Sequence, residues 1–247
     1  MPDITAHLAI PGARFSPARS AAILDAMAAM HAAFWEDVRL ADATLGLCAP
    51  VHFLSHTSPR RASRMRDQLA SFVFDAIEAG WDALPSFFDP GLVRELRALA
   101  DDPSAIVDAL GSSPRTLVHS DIRPANLGLR DRVDGGAGVF IIDWGRPMFT
   151  APAVDLGYYL GWTAVERATE VDDSIAAYET RLRARLGPRL DDSWWPRQRE
   201  IGILGGLLNT ICFRALAAQG EDAIAATERA ALAGWTDRMR GAVRMLG

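Results

Sequence analysis

The chain has 247 residues, 49% of them hydrophobic and 23% charged, with a formal net charge of −5; this is the balance of a globular chain, not a disordered one. The acidic excess argues against a general nucleic-acid or anionic-membrane binder, and two widely separated cysteines, Cys48 and Cys212, do not make a disulfide framework. "MPDITAHLAIPGARF" lacks the basic and long apolar regions of a secretory signal, and "IGILGGLLNTICF" is too short to span a bilayer. The expectation is a cytoplasmic protein with no nucleic-acid or membrane partner. All 26 basic side chains are arginine, so chemistry that needs a lysine has none to use within these residues.

Ser16 and Pro17 open a helix over "FSPARSAAILDAMAAMHAAFWED": serine satisfies free N–H groups at a helix start, and proline has no N–H to lose there. Ile23, Met27, Met30 and Phe34 then recur at helical spacing as its buried face. Ser58 and Pro59 start a second helix, read as continuous through "RRASRMRDQLASFVFDAIEAGWDAL". Short helices cover "DPGLVRELRALADD" and "PSAIVDALG". Over 115–143 the texture changes. "TLVHS" is short and apolar, "NLGLR" and "GVFIIDW" are strand-like, and "DRVDGGAG" between them is a hairpin turn. Its "DGGAG" follows no strand–loop–helix pattern, so it is a turn and not a phosphate-binding loop.

Helices then resume. "DDSIAAYETRLRARLG" has acidic residues at its start, arginine in its last turn and glycine at its stop, matching the helix dipole. "SWWPRQREIGILGGLLNTICFRALAAQG" and "EDAIAATERAALAGWTDRMRGAVRML" complete a helical second half. With no internal repeat or linker, the fold class expected is mainly α (α+β): one helical domain with an embedded β-hairpin.

The chemistry concentrates in "LVHSDIRPANLGL" and the "IIDWG" that follows it. If the first is a loop between short strands, Asp121 could take a proton from a hydroxyl. Asn126 offers an amide oxygen and Asp143 a carboxylate to a hard cation such as Mg²⁺, which accepts one or two carboxylates plus phosphate oxygens and water. Each residue alone could equally cap a turn; the set at this spacing favours a site. Cys48, His52 and His56 have a zinc-like spacing, but Pro50 is expected to interrupt any helix there and no fourth ligand is evident. Arg60, Arg61, Arg64 and Arg66 could bind an anionic substrate or phosphate, but such a run is more often a solvated helix face.

"HSDIRPAN" followed by "IIDWG" resembles the catalytic core of the aminoglycoside phosphotransferase/choline kinase-like family, which has a protein-kinase-like fold. "PAVDLGYYL" and "AMAAMHAAFW" resemble further segments of the same family. The resemblance implies that Asp121 is the catalytic base and that Asn126 and Asp143 hold Mg²⁺. His119 would be a scaffold residue, Asp155 would hydrogen-bond the loop's backbone, and His31 would be structural. Arg123 would either neutralise charge on the transferred phosphoryl group or pair with a surface carboxylate. Implied cofactors are Mg²⁺ and ATP or another nucleoside triphosphate, and the implied acceptor is a small hydroxyl-bearing substrate. Helices after residue 165 would line its site, where Glu166, Glu170, Asp172 and Asp173 would favour a cationic acceptor or simply cap helix starts.

The family's Gly-rich loop, its lysine and the glutamate that positions it have no counterpart here. Residues 1–15 resemble the hinge-like segment joining two lobes, and 16–247 the C-terminal lobe alone, with the N-terminal lobe absent. The implied function is an ATP-dependent small-molecule O-phosphotransferase, incomplete without a nucleotide-binding lobe and not expected to turn over well alone. The alternative is a non-catalytic relic or binding module. Surface left by the lobe should seek that lobe, a partner chain or a second copy.

Overall fold

Side-chain caps set the helix starts. In a computed structural model that describes residues 7–10, 12–69, 71–131, 137–164, 167 and 169–247, helix α1 runs Pro17–Ala33, with Ser16 Oγ accepting from the Arg19 N–H at 3.2 Å. Ile23 and Met27 are fully buried on its inner face, and Met30 packs against the same core. Pro50, expected to interrupt a helix, instead opens the short α2, Pro50–Leu54, because the first helical position needs no N–H.

The stretch after Ser58 is not one helix. It divides into α3, Pro59–Arg66, and α4, Phe72–Ala83. Ser71 is extended and its side chain accepts from the Val73 N–H, so it starts a helix where the sequence pattern had continued one. Helices α5, Pro90–Asp101, and α6, Ser104–Gly111, follow as expected.

Two small antiparallel sheets interrupt the helices. β1, Thr116–Val118, pairs with β4, Met148–Thr150. β2, Leu127–Asp131, pairs with β3, Ala137–Ile141, Leu127 standing opposite Ile141. The β1–β4 pair was not legible in the sequence, since three-residue strands show no alternation. The turn read at "DRVDGGAG" falls largely on 132–136, outside the described residues. From the N-terminal segment, Leu8 bridges to Gly128 and the Ala9 N–H reaches the Leu127 carbonyl at 2.8 Å.

The second half comprises α7, Ala153–Trp162; α8, Val171–Leu186; α9, Trp195–Leu208; α10, Ile211–Ala217; and α11, Ala223–Arg244. α9 and α10 were expected to be continuous; they meet at a 55° bend. Asn209 and Thr210 turn their side chains back onto the carbonyls of Gly205 and Leu207, a competition with the helix ladder that bends it. α9 is buried along most of its length, and its backbone meets α7 directly. A Cβ on Gly206 would lie 2.3 Å from the Tyr158 nitrogen and the Val154 oxygen. That contact fixes α7, which carries two residues of the site.

The chain is mostly helical, 64%, with small antiparallel sheets, in agreement with a mainly α class. Among the described residues, no single helix is long and apolar enough to cross a membrane.

Candidate active site

The segment between β1 and β2 is held from below by one carboxylate. Asp155, fully buried in the first turn of α7, accepts from the His119 N–H through Oδ2 (2.7 Å) and from the Ser120 N–H through Oδ1 (2.6 Å). His31 Nε2 lies 3.2 Å from the same Oδ2, and His31 Nδ1 lies 2.7 Å from the Tyr178 hydroxyl. Burial, and the charge of Asp155, push the Tyr178 phenol well above its ordinary range. Tyr178 therefore keeps its proton, and the His31 ring bridges its hydroxyl to Asp155. His31 is thus a buried strut.

His119, also fully buried, couples two parts of the site. Its Nδ1 accepts from the Asp121 N–H at 3.2 Å, and its Nε2 donates to the Ile142 carbonyl at 2.9 Å. The Trp144 ring meets it edge-on at 4.6 Å. Ser120 sits at φ +67° and donates its hydroxyl to the Arg146 carbonyl; Asp143 sits at φ +64°. A left-handed backbone at a residue other than glycine costs energy and persists where surrounding bonds hold it. Both of these residues adjoin the proposed reacting groups.

Asn126 gives its amide N–H to the Asp121 carbonyl at 2.9 Å, and its backbone carbonyl accepts from the Ile142 N–H at 3.0 Å. Its Oδ1 is thereby the atom left for a ligand. Asp143 is exposed and follows Ile142 directly. An amide oxygen and a carboxylate are hard donors, and they fit Mg²⁺ on condition that phosphate oxygens and water complete the shell. Among the described residues, no group of three or more His, Cys, Asp and Glu side chains could hold a metal ion unaided.

Asp121 is 8% exposed. The Tyr158 hydroxyl donates to its Oδ1 at 2.6 Å, Arg123 Nε lies 3.1 Å from Oδ1, and Arg146 Nη2 lies 3.6 Å from Oδ2. Burial and the Asp121 charge push the Tyr158 phenol far up, so it remains a donor. Arg123 pairs with Asp121 itself and not with a surface carboxylate. Tyr158 and Arg146 escaped the sequence reading. Tyr158 lies one turn beyond Asp155 on α7, a spacing that puts both on one face; Arg146 closes the turn after "IIDWG" but carries no signal of its own.

Asp121, Arg123, Arg146 and Tyr158 line one side of a cavity of about 340 Å³. The acidic residues expected around the acceptor are elsewhere or undescribed. Asp172 pairs with Arg238 at 2.6 Å and lines a different cavity with Glu179 and Arg199. Glu170 and Asp173 are exposed and do not line the cavity beside Asp121. Glu166 lies outside the described residues.

No curated protein matches the chain. The family model described as the phosphotransferase enzyme family (APH) matches residues 3–189, which takes in the loop, the Asp143 turn and α7. That span is well over half of the 247 residues, and it is consistent with the aminoglycoside phosphotransferase/choline kinase-like resemblance of the motifs. The chain belongs to the phosphotransferase enzyme family.

Proposed function

We propose that the chain is the acceptor- and metal-binding part of an ATP-dependent small-molecule O-phosphotransferase, corresponding to a protein-kinase-like C-terminal lobe. The observation that carries this reading is Asp121: nearly buried, bonded by a phenol at Oδ1, flanked by two guanidinium groups, and lining a cavity. Tyr158 occupies Oδ1, so Oδ2 is the oxygen that takes the acceptor's proton. The acceptor oxygen then forms the new bond to the γ-phosphorus as the bond to the ADP oxygen breaks. Arg123 and Arg146 keep positive charge beside the carboxylate and the reacting oxygens, the kind of fixed field that stabilises developing negative charge. Asn126 Oδ1 and Asp143 would hold Mg²⁺, which when bound neutralises charge on the phosphates.

The nucleotide clamp would come from a lobe outside these 247 residues or from a different partner chain, since a second copy would bring no lysine either. No lysine is present to fill that role. In support, β3 is only half-buried along its length, and Ile10 and Trp144 are 72% and 42% exposed near the β2–β3 hairpin. A cation on the transferring phosphoryl group is worth ~10³–10⁵ in rate, or roughly 4–7 kcal/mol, so the clamp matters greatly to turnover.

The test is metal-dependent nucleotide binding to the full chain. ATP should bind weakly with Mg²⁺ present, and at least about tenfold more weakly with EDTA or in Asp143→Ala. Equal affinity in all three conditions would favour a non-catalytic module.

A further inference from the structure

The cavity beside Asp121 also has walls, and they describe the acceptor. At about 340 Å³ it is at the small end of ligand sites, with room for about one or two rings. Phe53, Ile77, Trp162 and Phe213 make the body of the wall, and Phe72, 83% exposed, stands at its edge. A large aromatic side chain held in water beside a cavity is an apolar surface without a partner.

Charge narrows the class. Asp121 is the one carboxylate among the described lining residues, and two guanidinium groups already face it. The remaining ionisable lining group besides Tyr158, His56, has its imidazole pushed down to about 4 by burial and by the nearby Arg146 and Arg61. It is uncharged at neutral pH. An ammonium-bearing acceptor would thus meet excess positive charge and find no free carboxylate, a desolvation cost without compensation.

We propose that the acceptor is an uncharged alcohol built on an aromatic or otherwise apolar ring, with no cationic centre. The proposal rests on the phosphotransferase reading for which hydroxyl reacts, and on the wall chemistry for the rest.

A matched pair of probes tests it: 2-(4-hydroxyphenyl)ethanol and 2-(4-hydroxyphenyl)ethylamine, which differ only by a hydroxyl against an ammonium. Binding to the full chain is followed by ligand-observed NMR, in wild type and in Phe72→Asp, a substitution at an exposed position. The expected result is at least about fivefold tighter binding of the alcohol, with the preference reduced or reversed by the new carboxylate. Tighter or equal binding of the amine overturns the proposal. So does binding of neither probe, or a preference that Phe72→Asp leaves unchanged. Incubation with Mg²⁺ and ATP addresses the underlying reading separately. An alcohol that binds with the stated preference but is never phosphorylated, alone or with the completing lobe, counts against phosphotransfer and leaves the wall chemistry standing.

Discussion

Asp121 and Asp155 are both buried aspartates, yet their surroundings give them opposite work. Both oxygens of Asp155 are taken by backbone N–H groups and by His31, so its contribution is to the shape of the loop. Asp155→Ala would leave two buried N–H groups without partners and should cost about 3 kcal/mol, read as a lowered urea midpoint. Asp121 keeps Oδ2 only loosely engaged by Arg146, and its replacement should cost activity far more than stability. His56 supplies a pH signature. Its imidazole is depressed from 6.5 to about 4, so below pH 6.5 the unfolded chain takes up a proton that the folded chain refuses. Its contribution to stability is complete above pH 6.5 and is lost as pH falls toward 4, by about 1 kcal/mol after allowance for its partial exposure. His56→Gln should flatten the stability profile in that window. The residues of the loop were legible because hard-ligand chemistry at fixed spacing is a local pattern. Tyr158 and Arg146 were not, because they reach Asp121 only through the tertiary fold.

At the scale of elements, the site depends on how closely α7 lies against α9. Gly206→Ala would drive a Cβ to 2.3 Å from backbone atoms of α7, forcing apart the helix that carries Asp155 and Tyr158. The expected loss is about 2–3 kcal/mol, with the Asp121 surroundings disturbed. Gly241→Ala, in α11 with open space around it, should instead stabilise by about 0.5–1 kcal/mol. Urea denaturation of the two variants separates close approach from helix propensity. Helix starts were legible at Ser16–Pro17 and Ser58–Pro59, where serine caps a helix that proline opens, since cap chemistry is local. The breaks after Arg66 and at Asn209–Thr210 were not, because the apolar pattern runs across them and side-chain bonds to the backbone decide the bend. The strand pairing of β1 with β4 was hidden for the opposite reason, being too short to have a pattern.

At the scale of the molecule, charge is arranged more tellingly than its total suggests. The net −5 is spread with acidic groups tied to arginines on α8, α9 and α11, as at Asp172–Arg238, Glu200–Arg238 and Glu179–Arg199. The described cavity lining, by contrast, holds two arginines and a single carboxylate. Caps and apolar spacing foretold a mainly helical chain and the motifs foretold its family, but the sign of charge at the acceptor wall came only from the fold. The most direct test of the account is phosphoester formation, followed by ³¹P NMR, using the gene product with any in-frame upstream sequence, Mg²⁺, ATP and an aromatic diol. With the completing lobe supplied, in frame or as a partner chain, wild type should form product, and Asp121→Asn should form about 10²–10⁴-fold less with the urea midpoint nearly unchanged. Equal product from the two completed proteins, or none from either, is the contrary result.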